Sequence, residues 1–347
     1  MPSLTRRALG RGLFALGLLG AVPAAAQDLT TLRFTLDWRF QGIHSWFMLA
    51  QEKGWFAEEG IELVIDQGEG SAATVTRIMG GAYDAGFGDI NAIIQQAARN
   101  PGQQPMMVYQ IYNQPPFVMF AKKDAPVQDW KDLEGRKLAS QAGSATLILL
   151  PTLLAMNDVD FTQVEVVSIA PNLQEQMVIQ GQVDASLAFN VTAYINMVQQ
   201  RRDPDADFNW FFFADHGLDL YSNGLMVSQA LLNDKPEVVE ALVRVTNRAM
   251  QAVMTDPAEG VAALRRVEPL IDAEVEKLRV EYAMRTLILS PETDQIGIGD
   301  VDDERLARNI AIVAETYELP FVPENDAVFT RAFLPPLEER TFGSVAN

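Results

Sequence analysis

The chain has no cysteine among its 347 residues. That absence excludes disulfides, thiolate metal ligands, a thiol nucleophile and anchoring through a lipidated N-terminal cysteine. Only two histidines are present. Neither sits in a His/Asp/Glu cluster with metal-ligand spacing, so no metal and no cofactor are expected. Positive charge is scarce, with 27 Lys and Arg against 46 Asp and Glu. A surface of that balance repels nucleic acid and anionic lipid, and neither is expected as a partner. The charge inside a pocket stays open. After the first 26 residues no stretch reaches ~18 unbroken apolar residues, so no membrane insertion is expected.

What is present begins with a leader pattern. Arg6, Arg7 and Arg11 precede an apolar stretch from Leu13 to Val22, and Ala24-Ala25-Ala26 offers a small-residue cleavage site. Residues 1–26 therefore read as a cleaved secretory signal. Ser3-Leu4-Thr5-Arg6-Arg7-Ala8-Leu9 is close to a twin-arginine pattern, with Ala8 where Phe is usual. Cleavage would leave 24 Lys and Arg against 46 Asp and Glu, a net charge of −22. The expected product is a soluble, unanchored monomer of about 320 residues in the periplasm, long enough for two lobes with their own cores.

Residues 30–89 alternate strand and helix. Leu32–Leu36 is β-rich, Ser45–Glu58 is helical with Gly60 as its stop, and Ile61–Ile65 alternates apolar and acidic residues. Gly68 to Ser71 is a turn, with Ser71 the expected cap of a helix to Met79. Tyr83–Phe87 and Met106–Ile111 are strands around a helix Asn91–Ala98. Tyr112-Asn113-Gln114-Pro115-Pro116 then breaks the pattern, which restarts at Phe117. Gly81-x-x-Asp84-Ala85 reappears as Gly181-x-x-Asp184-Ala185, and Gly70-Ser71-Ala72 as Gly143-Ser144-Ala145. A return crossing falls between Phe211–Ala214 and Leu225–Ser228. Helices follow over 237–254, 272–289 and 303–317, and residues from Phe321 onward read as a peripheral tail. The expected fold is α/β with two lobes, each a mainly parallel sheet flanked by helices. Residues 28–113 and 218–347 would form lobe I and 114–217 lobe II, with a ligand cleft between them.

In such sheets ligands meet the carboxyl ends of the strands. Asp37 and Trp38 end the first strand. An indole there can stack on a flat ligand, or fill the core. Asp37 can accept from an amine, amidine or ring N–H, or cap a turn. Both can face the cleft only if the strand stops being regular near Asp37, since neighbours alternate faces. His44 could bond the ligand or serve as a satisfied core histidine, whereas His216 reads as structural. Gly70-Ser71 and Gly143-Ser144 open helices whose free N–H groups attract a polar or anionic edge. Asp89 and Asn190 follow corresponding strands in the two halves. Tyr112 and Asn113 lie at the first crossing, Tyr221 and Asn223 near the second.

The strand ending in Asp37-Trp38, the Ala50–Gly60 helix with Gly54-Trp55-Phe56, the Gly68–Ser71 turn and Gly81–Asp89 together resemble periplasmic solute-binding proteins of ABC importers. The resemblance is to the nitrate/sulfonate/taurine and thiamine-pyrimidine-precursor group, and it covers roughly residues 30–230. It implies a type II-like periplasmic-binding-protein fold that closes by hinge motion on a small molecule, with an ABC permease and its ATPase as partners. Asp37-Trp38 followed by His44 looks most like the pyrimidine-precursor branch. That branch includes pyrimidine-synthase enzymes with a Cys-rich motif, which this chain lacks. The expectation is a binding protein, not an enzyme, for a small planar N-heterocycle such as an aminopyrimidine. A sulfonate, nitrate or other small organic anion is the alternative, and it would more naturally recruit Arg or Lys, of which Arg39 alone stands near a strand end.

Overall fold

A computed structural model describes residues 29–141, 144–170 and 173–342. The leader pattern and Gly143 lie outside the described residues. Strands β1 (Thr30–Thr35), β2 (Ile61–Asp66), β3 (Ala85–Asp89), β4 (Met106–Gln110) and β10 (Asn223–Val227) form one sheet in the order β2-β1-β3-β10-β4. Strands β5 (Phe117–Lys122), β6 (Lys137–Ser140), β7 (Glu165–Ser168), β8 (Ala185–Phe189) and β9 (Phe208–Phe212) form the other, in the order β7-β6-β8-β5-β9. Each sheet is mixed but mainly parallel. One strand runs against the rest, β10 in the first sheet and β5 in the second. Each contrary strand is the first one laid down after the chain crosses between sheets.

Helices α1 (Ser45–Glu52), α2 (Trp55–Glu58), α3 (Ser71–Met79) and α4 (Ile90–Arg99) flank the first sheet. Helices α5 (Ala145–Met156), α6 (Gln174–Ile179), α7 (Asn190–Gln199) and α8 (Pro204–Asp207) accompany the second. The remainder is helical: α9 (Gln229–Asp234), α10 (Pro236–Thr255), α11 (Pro257–Val267), α12 (Ala273–Ala283), α13 (Thr293–Ile296) and α14 (Asp303–Thr316). Helices α10 and α11 bury one apolar face against α1. At about 25 cal/mol per Å² of apolar surface, that face is what holds them to α1 rather than helix propensity.

The sequence echo has a structural cause. Asp84 precedes β3 and its carboxylate accepts from the Arg33 N–H of β1 at 2.8 Å. Asp184 precedes β8 and accepts from the Lys137 N–H of β6 at 2.9 Å. The glycine three residues earlier has φ of 69° at Gly81 and 67° at Gly181, a left-handed turn that favours glycine in both halves.

Two expectations need correction. Ser71 is the first residue of α3 and not its cap; Gly70 holds that place with φ of 112° and no side-chain bond. The segment from Phe321 is not peripheral throughout. Val328 and Phe329 are buried, Phe329 pairs with Met107 beside β4, and Arg340 is buried with its guanidinium on the Ile296 and Ile298 carbonyls.

Candidate functional site

The two sheets point their strand ends at a shared cleft of about 310 Å³, within the range of small-molecule sites. Lobe I supplies the loop after β1, the starts of α3 and α4, and Tyr112 at the first crossing. Lobe II supplies the starts of α5 and α7 and the end of β8.

β1 ends at Thr35 and the chain bends from Asp37 onward. The strand therefore stops being regular where it must, and both Asp37 and Trp38 line the cleft. The loop is held by the turn after β2. The Gly68 N–H donates to the Trp38 carbonyl at 3.0 Å and the Gly70 N–H to the Asp37 carbonyl at 2.6 Å. A Cβ on Gly68 would stand 1.9 Å from the Leu36 carbonyl oxygen, so only glycine permits this approach. Trp38 is half-buried at the cleft wall, not sealed in the core.

Asp37 is 7% exposed. One carboxylate oxygen lies 3.1 Å from His44 Nε2, and the other accepts from Asn223 Nδ2 at 2.7 Å. His44 Nδ1 accepts from the Gln41 N–H at 3.2 Å, which assigns the ring's proton to Nε2, facing Asp37. His44 is fully buried and does not line the cleft; it orients Asp37. A carboxylate has about four acceptor positions, so two neutral donors leave capacity for a ligand N–H.

Asp89 caps α4, accepting from the Asn91 N–H at 2.9 Å and from Asn91 Nδ2 at 2.7 Å. Burial pushes its carboxyl up to about 7; the Asn91 bonds oppose that rise and the charge of Asp37 adds to it. Tyr112 stands edge-on to Phe87 with ring centroids 5.6 Å apart. Its phenol lines the cleft with no protein partner, and burial, then the charge of Asp37, raises it well above the usual tyrosine range.

Ser144 caps α5 and lines the cleft, accepting from the Leu147 N–H at 3.2 Å. Gly70 and Ser71 line it from the start of α3. Other predicted residues lie elsewhere. Asn190 is buried at the start of α7, its side-chain oxygen on the Val191 N–H at 2.6 Å. Tyr221 is fully buried behind the cleft, donating to Glu292 at 2.5 Å. Asn113 bonds Glu292 at 2.7 Å, Arg39 is exposed away from the cleft, and His216 packs edge-on to Trp130 at 5.6 Å.

The sequence did not single out Phe189, Gln174, Gln95 or Tyr317, which also line the cleft. Phe189 could have been read from its place at the end of β8, one residue before Asn190. Tyr317 had no local signal: it arrives from the far end of α14, and burial pushes its phenol up to about 12. Among the described lining residues the charged side chains are Asp37, Glu69 and Asp89; no Lys, Arg or His lines the cleft.

The family model described as NMT1/THI5 like matches residues 41–260. A riboflavin-binding protein, RibY, of Chloroflexus aurantiacus is 24% identical over 83% of this chain and 82% of its own length. A 4-amino-5-hydroxymethyl-2-methylpyrimidine phosphate synthase of Aspergillus parasiticus is 24% identical over 71% of this chain and 73% of its own. The periplasmic aliphatic sulphonate-binding protein SsuA of Escherichia coli shares the fold with a TM-score of 0.63 and 16% identity, over 86% of this chain and 95% of that one. No helix among the described residues is long and apolar enough to cross a membrane.

Proposed function

The chain belongs to the NMT1/THI5-like family, and on that premise we propose that it is the solute-binding component of an ABC importer for a flat nitrogen heterocycle of the aminopyrimidine kind. The observation that carries the reading is the charge of the cleft. Its buried acidic side chains are Asp37 and Asp89, beside the half-buried Trp38. A sulfonate or nitrate would meet the buried Asp37 carboxylate, a partly ionised Asp89 and no cation among the described lining residues, a desolvated repulsion that the start of a helix offsets only in part. A ring bearing N–H or amino donors pairs with the carboxylates and stacks on the indole.

The mechanism is capture by closure. Contacts from both lobes favour the closed form, and a permease would read that form. No bond breaks. The described lining offers no Lys for a Schiff base and no His to move a proton at the ligand. The synthase names among the relatives make catalysis the competing reading. The flavin name adds a second heterocycle whose imide edge also carries an N–H.

The test is a titration followed by tryptophan fluorescence, with 4-amino-5-hydroxymethyl-2-methylpyrimidine, riboflavin and an alkanesulfonate. Saturable quenching by a heterocycle, weakened by Asp37→Asn, supports the reading. Binding of the sulfonate alone overturns it. Recovery of a chemically altered heterocycle from the purified chain would make it an enzyme.

A further inference from the structure

Both crossings between the lobes converge on one buried side chain. Arg305 of α14 is 5% exposed. Its guanidinium donates to the backbone carbonyl of Asn113 at 2.7 Å and to the Asn113 side chain at 3.1 Å, on the outgoing crossing. It donates to Asp219 at 2.6 Å and lies 4.2 Å over the ring of Tyr221, on the return crossing. Glu292 closes the cluster, accepting from Arg305 at 3.2 Å and from the Tyr221 hydroxyl.

The next turn of α14 continues the connection. Asn309 is fully buried, accepts from the Tyr221 N–H at 2.7 Å and donates to Asn91 at 2.7 Å. Asn91 is the residue that bonds the cleft carboxylate Asp89. At the far end Thr316 meets Thr152 of α5, in the other lobe, at 2.8 Å between hydroxyls, and Ile312 packs on that lobe's core. Residues 305, 309, 312 and 316 share one helix face, spaced three to four apart. That face runs from the crossings, past the cleft, to the opposite lobe.

We propose that α14 sets the angle between the lobes, with Arg305 as the positioning residue that pins both crossings at once. Only a planar fork with five donors can reach two backbone segments and a carboxylate together; a lysine ammonium is a point donor and can hold one side. Glu292, Asp219 and Tyr221 turn the same cation toward the hinge, so the pin is electrostatically matched where a rigid hydrophobic plug would be indifferent to charge. The proposal goes beyond the ligand assignment and holds whatever the ligand proves to be.

The absence of native cysteine makes the test clean. β2 and β7 are the edge strands farthest from the crossings in their sheets, so hinge motion displaces them most. Val64→Cys on β2 and Glu165→Cys on β7 are exposed label sites. Pulsed electron spin resonance on the doubly labelled full chain, with no ligand added, reads the distance between the lobes. Arg305→Lys should broaden that distribution and add a longer component. Arg308→Lys, an exposed neighbour on α14, should leave it unchanged. If Arg305→Lys does not fold, Asp219→Asn, whose side chain is half-exposed, should give the same broadening. A distribution that superimposes on the unsubstituted protein in the folded variant, even with a lowered melting point, makes Arg305 merely structural and overturns the proposal.

Discussion

At the scale of single residues the side chains that line the cleft differ from those that orient them from behind. Trp38 is half-buried on the wall, so Trp38→Ala removes a stacking surface and little core. Its loss should weaken heterocycle binding by about 30-fold, roughly the 2 kcal/mol of a well-packed aromatic anchor, with an unchanged melting curve. His44 is the opposite case: its proton faces Asp37, and the ring never reaches the cleft. Asp89 adds a pH signature. Its carboxyl is raised to about 7 by burial, so the folded state holds this proton more tightly than the unfolded chain. The stability this group contributes is full below about pH 4 and is lost as the pH rises through 7. Asp89→Asn removes that loss. Melts at pH 5 and pH 8 should show the variant gaining on the unsubstituted protein by on the order of 2 kcal/mol at the higher pH. An equal difference at both pH values would place the proton elsewhere.

At the scale of elements the sequence was legible where the signal is local. The strand–helix alternation of each half, the break at Tyr112–Pro116 and the paired Gly-x-x-Asp echo all have local causes, namely pleat periodicity, proline chemistry and a left-handed turn before a strand. Strand β5 was readable as a strand and β10 only as the flank of a crossing, and neither as an antiparallel partner, because pairing between residues as distant as Ala85 and Val227 leaves no local mark. Tyr221 was placed near the site by its nearness to the second crossing and Asn190 by analogy with Asp89, and a buried polar network claimed the first and a backbone bond the second. Arg305 and Asn309 had no signal beyond an amphipathic helix, since what they grip is distant in sequence. The turn Gly68–Gly70 is the element most exposed to a small change. Gly68→Ala would drive a methyl into the Leu36 carbonyl and push the Asp37–Trp38 loop away, costing roughly 1–3 kcal/mol of stability and most heterocycle binding. A variant that keeps full affinity would show that this loop does not form the site.

At the scale of the whole molecule, two sheets of the same strand order face each other across a cleft whose charged side chains, among the described lining residues, are Asp37, Glu69 and Asp89. A shared fold does not carry a shared ligand; the side chains at the strand ends decide it. The most direct test of the central claim is the melting temperature of the purified full chain, measured against a saturating aminopyrimidine, riboflavin and an alkanesulfonate at equal concentration, because a ligand that binds only the folded state raises stability by mass action. A rise is expected with a nitrogen heterocycle, smaller in Trp38→Ala at the same concentration, and none with the sulfonate. A rise with the sulfonate and none with either heterocycle would contradict that claim.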